Sequence, residues 1–220
     1  MTRDLIPVEI LTLQLIPNLS PSLAKALGIT DESRSVGLIS TDSDDVTYMA
    51  LDEATKVSNV RVTYARSLYA GAANASTRLA GEVIGVLSGP TPAEVASGLR
   101  GAERFIRSGV GFRSANPEDD VIYLAHCVSR TGSYLADVAG ISIGEPLAYL
   151  VAPPVEAVMG LDAALKASDV ELVTFFEPPT ETNFAGGLLT GTQSACQAAC
   201  DAFAQSVIDT AKNPTYLGGI

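Results

Sequence analysis

Residues 40 to 56 read STDSDDVTYMALDEATK, and within them Asp42, Asp44, Asp45, Asp52 and Glu53 crowd five carboxylates around a helix start. Such a cluster could be a metal loop, a catalytic acid–base group, a helix cap, or the wall of a passage for cations. A calcium loop of the EF-hand type needs oxygen ligands at alternate positions followed by glycine. Here Val46 and Thr47 interrupt the pattern, so that reading fails. The cap reading is sound by itself. Ser43, Asp44 and Asp45 can accept the unbonded N–H groups of the following helix and meet the positive end of its dipole. A cap and a ligand site can also share the stretch, one carboxylate capping while its neighbour points into a channel.

Other reactive residues are sparse. His126 is the one histidine, it falls on an expected strand, and its repeat counterpart is Gln14, which favours packing or hydrogen bonding over a general base. No serine nucleophile elbow is present. Cys196 and Cys200 are spaced to share one helix face, but two thiols and a distant histidine fall short of a structural zinc set, so small buried residues are expected there. AGAANASTRLAG (70–81) holds Gly and Ala but no G-x-x-x-x-G-K-[ST], so it is not a phosphate-binding loop. In VSRTGSYL (128–135), Ser129 and Thr131 are candidate caps for a short helix, and Arg130 is a candidate bridge between subunits.

The 220 residues suffice for one large domain or two of about 100 residues each. Apolar residues make up 47% and charged ones 18%, a balance suited to large subunit interfaces, so an oligomer is expected. A net charge of -11 opposes nucleic acid and anionic membranes and favours small cationic partners. MTRDLIPVEI lacks the pattern of a secretory signal, and no stretch reaches the roughly 18 apolar residues of a membrane span, so a cytoplasmic protein is expected. Three cysteines do not make a disulfide framework.

The elements that must position these residues are written twice. MALDEATKVSNV (49–60) and MGLDAALKASDV (159–170) coincide at seven of twelve positions with an offset of 110. LAKALGI (23–29) matches LADVAGI (135–141) at an offset of 112, and Leu87, Gly89, Ala93 and Ala96 meet Leu189, Gly191, Ala195 and Ala198 at 102. Order is kept throughout, which identifies a tandem duplication. Each half predicts a strand (9–16; 121–128), a short helix, a second strand (36–40; 147–152) and a helix with Val46, Met49, Ala50, Ala54 and Val57 at helical spacing. A third strand (59–64; 170–175), a loop, a fourth strand (82–87; 185–190) and a closing helix (91–106; 194–211) complete an α+β unit of four strands. The offset falls by eight between the third and fourth strands, so the first-half loop, ARSLYAGAANASTRLAG, is longer than its counterpart FEPPTETNFAG, and irregular loops at equivalent places predict a gate or a site.

DSDDVTYMALDEATK, RSLYAGAANASTRLAGEV, VSRTGSYL, AYLVAPPVEAVMGLDAALK and PPTETNFAGGLLTG, in this order, resemble the tandem-domain shell proteins of the ethanolamine-utilisation bacterial microcompartment over essentially the whole chain. The resemblance implies a tandem duplication of a circularly permuted, four-stranded antiparallel-sheet shell domain, one copy in 1–110 and one in 111–220. It implies a homotrimer that imitates a hexamer, tiles with other shell proteins, carries no catalytic activity and needs no metal or cofactor of its own. It further implies a small acidic pore that binds ethanolamine, lined at the matching positions Asp44, Asp45, Glu82, Phe112 and Thr182. A central pore for larger molecules, with cobalamin as a candidate, would be gated by Tyr69 and Phe184.

The physics of such a pore is plain. A protonated amine that leaves water loses strong hydration, which carboxylates and a hydroxyl replace only by converging at hydrogen-bonding distance. Asp45, Glu82 and Thr182 come from separate parts of the chain, as convergence requires. Passage demands weak binding, so millimolar affinity is expected. Two alternatives remain from the residues alone: a soluble amine or cobalamin carrier that does not tile, and a small hydrolase using Asp44, Asp45 and His126.

Overall fold

The structure, a computed structural model, describes residues 2–68, 77–178 and 180–215. The chain divides into two compact units, one comprising Val8–Val110 with Gly132–Asp137, the other Met1–Pro7, Gly111–Thr131 and Val138–Ile220.

In the first unit β1 (Ile10–Ile16), β2 (Ser35–Thr41), β3 (Arg61–Ser67) and β4 (Val83–Gly89) form an antiparallel sheet in the order β1-β2-β4-β3. α1 (Pro21–Ala26) and α2 (Asp44–Val57) run between them, and α3 (Pro92–Arg107) follows β4. The helical spacing in α2 does what it predicts: Val46, Met49, Ala50 and Ala54 are buried, and only Val57, at the last turn, is exposed. With Val95, Leu99, Ala102 and Ile106 of α3 and Ile39 and Leu87 of the sheet they make up the unit's buried core, whereas Val36 packs with Leu19, Ala24, Ile29 and Val86 in a separate cluster. Thr91 starts α3, its hydroxyl accepting the Glu94 N–H at 3.2 Å, while the Glu94 carboxylate takes the Asn59 N–H at 2.9 Å.

The second unit repeats the plan. β6 (Ile122–Val128), β7 (Leu147–Ala152), β8 (Val170–Phe176) and β9 (Ala185–Gly191) are joined by the two-residue β5 (Arg113–Ser114) in the order β5-β6-β7-β9-β8. α5 (Pro154–Ala167) and α6 (Gln193–Lys212) cover it, and Phe203, Leu150, Leu189, Leu161 and Val207 fill the core. A further helix, α4 (Ser133–Ala139), follows β6 in the chain, and its residues up to Asp137 belong to the first unit. β5 has no counterpart among the expected strands; it owes its order to residues 3–6, whose backbone exchanges hydrogen bonds with Phe112 and Ser114.

The duplication reaches single atoms. The ladder of β3 on β4 shifts register between Val62 and Tyr64, and that of β8 on β9 between Leu172 and Thr174, the same place at an offset of 110. Ser58 bonds the Ala54 carbonyl at 3.2 Å as Ser168 bonds that of Ala164 at 3.3 Å. Gly28 and Gly140 end α1 and α4 with φ of 68° and 66°, a left-handed conformation that glycine adopts without cost.

Candidate functional site

In the first unit the acidic stretch begins where β2 turns into α2. The Thr41 hydroxyl accepts the Ser43 N–H at 3.0 Å and lies 2.7 Å from that of Thr47, and both hydroxyls lie 2.8 Å from the Ser43 carbonyl. This staple starts the helix in place of the expected Ser43 cap: the Ser43 side chain makes no cap bond, and its buried oxygen has no partner among the described residues. Asp44 and Asp45 are 7% and 8% exposed, a strong desolvation for two adjacent carboxylates. One oxygen of Asp44 accepts the Asp45 N–H at 2.8 Å and the other the Ser67 hydroxyl at 2.6 Å. With its hydrogen committed to Asp44, Ser67 accepts from the Tyr48 hydroxyl, 2.7 Å away.

Glu82 is brought to the same end of the sheet. Its N–H donates to the Thr41 carbonyl and its carbonyl accepts the Leu68 N–H, both at 2.8 Å, so its backbone is clamped between the ends of β2 and β3. Gly81 makes the clamp possible, with φ of 62° and with the Thr41 oxygen 2.2 Å from where a Cβ would stand. Asp42, also in the acidic run, serves elsewhere by accepting the Glu9 N–H at 2.8 Å, and Asp52 is fully buried further along α2. Ser67 and Tyr48 escaped sequence reasoning because the contact joins a strand end to a helix turn, and no local spacing records it.

In the second unit Phe112 is buried, and its ring lies 5.3 Å from that of Phe184 at an interplanar angle of 50°, a favourable tilted pair. Thr180 donates to the Phe184 carbonyl at 2.8 Å, and its oxygen lies 3.5 Å from that of the half-buried Thr182. Thr182, Phe184 and Phe112 therefore form one local group. Tyr69 lies outside the described residues.

The remaining candidates fall into structural places. His126 pairs with Tyr149 across β6 and β7. Cys196 and Cys200 are buried in the core of α6, and burial pushes both thiols upward. Thr131 is not a helix cap: its hydroxyl donates to the Glu145 carbonyl at 2.9 Å and accepts the Gly144 N–H at 3.2 Å, closing the turn after α4. Arg130 is exposed. Among the described residues no group of three or more His, Cys, Asp or Glu could hold a metal ion, and no helix is long and apolar enough to cross a membrane.

Four-stranded antiparallel sheets covered by paired helices, written twice in one chain, define a bacterial microcompartment shell protein. Residues 35–114, from β2 through β5, match the family model described as BMC domain. The chain belongs to the EutL family of these shell proteins. It is 64% identical over 214 residues to the bacterial microcompartment shell protein EutL of Clostridium perfringens, covering 97% of this chain and 99% of that one. Its fold matches the crystal structure of EutL from Clostridium perfringens with a TM-score of 0.96 at 63% identity, over 99% of both chains. EutL of Salmonella typhimurium is 52% identical over 211 residues, 96% of each chain.

Proposed function

We propose that this chain is a non-enzymatic structural component of an ethanolamine-utilisation microcompartment, in which three copies form a pseudo-hexameric tile. The observation that carries this reading is the duplication of the backbone down to equivalent register shifts and side-chain bonds. Three chains with two like domains each, 1–110 and 111–220, supply six repeats to a ring, and a flat ring can pack edge to edge with other shell proteins. Its place is then the shell of a microcompartment within the cytoplasm.

The tile has a second task, the passage of small cations. Asp44 and Asp45 give up hydration on burial, and Glu82 is fixed at the same end of the sheet, which suits a protonated amine such as ethanolamine. Phe112 and Thr182 complete the proposed small-pore set, and their shared anchoring supports a common role. Tyr69 and Phe184 are the proposed gate of a wider central pore for bulky cofactors, cobalamin among them.

Electron microscopy of the purified full-length protein tests the tile. Ordered hexagonal layers are expected. Dispersed particles at every concentration would favour a soluble carrier instead.

A further inference from the structure

Arg113 and Tyr123 face each other across β5 and β6, a register that puts both side chains on one face of the sheet, the face covered by α6. Arg3 reaches the same place along the segment of residues 3–6. Its N–H donates to the Ser114 carbonyl at 2.7 Å, its guanidinium donates to Gln205 of α6 at 2.9 Å, and its carbonyl accepts from the Arg113 guanidinium at 3.0 Å. Arg3 has a φ of 75°, a left-handed conformation that a side-chain-bearing residue keeps only when its surroundings hold it there. All four residues belong to the second unit.

Neighbouring guanidiniums repel each other unless a negative charge lies between them. Among the described residues neither Arg3 nor Arg113 forms an ion pair, although the chain carries 25 acidic residues against 14 basic ones. Tyr123 is 2% exposed, yet its hydroxyl makes no hydrogen bond among the described residues, where a buried phenol ordinarily finds a partner. Burial raises the Tyr123 phenol above its ordinary value, with the charges of Arg3 and Arg113 acting in the opposite sense, so it is a neutral donor at neutral pH. Two cations without a counter-charge and a buried donor without an acceptor meet at one place, and an anion supplies what all three lack.

We propose that Arg3, Arg113 and Tyr123 form a binding site for a small phosphate dianion, free or as the phosphoryl group of an ester. Two guanidiniums match a dianion in charge, whereas a monocarboxylate leaves one of them uncompensated. Each guanidinium offers a fork of N–H groups to the phosphate oxygens, and the Tyr123 hydroxyl donates one bond more. The bonds to Gln205 and to the Arg3 carbonyl orient both forks before the anion arrives, which lowers the cost of binding it. The site belongs to the second unit and takes an anion, while the acidic stretch belongs to the first and suits a cation, so the two readings stand independently.

Calorimetric titration of the full-length protein with inorganic phosphate, at constant ionic strength in chloride, tests the site. Saturable binding is expected, tightening as pH rises through the second ionisation of phosphate. Sulfate, a dianion throughout, should bind without that pH dependence, and acetate should bind about tenfold more weakly or less. Arg3→Gln and Arg113→Gln should each weaken phosphate binding about tenfold, and Arg113→Lys should keep part of it as a point charge without the fork. Tyr123→Phe should weaken binding yet leave the melting temperature without phosphate unchanged, since the hydroxyl it removes bonds no described residue. Glycerol phosphate, run beside inorganic phosphate, distinguishes the sources: tighter binding of the ester marks a phosphorylated metabolite, and equal or weaker binding marks free phosphate. Absence of saturable binding overturns the site. Equal binding by the wild type and by a folded Arg3→Gln, Arg113→Gln double variant, which marks an adventitious ion only, overturns it as well.

Discussion

Ser67 donates its hydroxyl hydrogen to Asp44 at 2.6 Å while accepting one from Tyr48 at 2.7 Å, so a strand end, a carboxylate and an aromatic hydroxyl are locked into one chain. Asp44 is thereby positioned with its second oxygen on the Asp45 N–H, which holds the pair of acids rigid at the helix start. Ser67→Ala removes a hydrogen bond to a buried carboxyl group and is expected to cost about 1.5–3 kcal/mol. Tyr48→Phe, which removes a bond between neutral groups, is expected to cost about 1 kcal/mol. Thermal unfolding of the two variants should show the larger drop for Ser67→Ala.

Gly81 fixes Glu82. Its backbone angles, φ 62° and ψ -152°, lie in a region essentially reserved for glycine. Gly81→Ala is expected to cost about 1–3 kcal/mol from backbone strain alone, with the contact on the Thr41 oxygen in addition. The melting temperature should fall by several degrees, and the position of Glu82 in a crystal of the variant should shift.

Asp52 accepts two backbone N–H groups from full burial and lies 3.3 Å from the Lys56 ammonium. Asp52→Ala leaves those donors without an acceptor, and the expected loss is about 3–5 kcal/mol, read from denaturant unfolding.

Titration and thiol chemistry follow burial. Burial first, then the neighbouring Tyr48, holds the Tyr134 phenol above its usual value of 10.0. The folded chain keeps that proton where the unfolded chain releases it, so this contribution is intact below pH 10 and is lost as pH rises beyond it. Tyr134→Phe should flatten the alkaline loss of stability. Of the three thiols, Cys127 is only half-buried, whereas Cys196 and Cys200 lie in the core. A thiol reagent at neutral pH should modify Cys127 first and reach the other two only on unfolding.

Much of this was legible in the sequence. The seven matches between 49–60 and 159–170 gave the duplication, and alternation and helical spacing gave eight strands whose ends fall within about three residues of those observed. β5 was not legible, because two residues carry no period and their pairing depends on residues 3–6 far away in the chain. At the acidic stretch the residue types gave the carboxylates and a cap by Ser43, Asp44 and Asp45; Asp44 does accept the Asp45 N–H, but the Ser43 side chain makes no cap bond, and Thr41 and Thr47 hold the turn instead. The different burial of Met49 and Met159 was invisible for a deeper reason: the residues and their local patterns are the same, and only what packs over them differs.

The most direct measurement is a crystal structure of the full-length protein grown with millimolar ethanolamine, for the wild type and for Asp45→Asn combined with Glu82→Gln. Ethanolamine density with its ammonium at the Asp45 and Glu82 carboxylates in the wild type, lost in the variant, is the predicted result. Equal occupancy in both proteins, or ethanolamine bound only away from these two carboxylates, would contradict the acidic-pore reading.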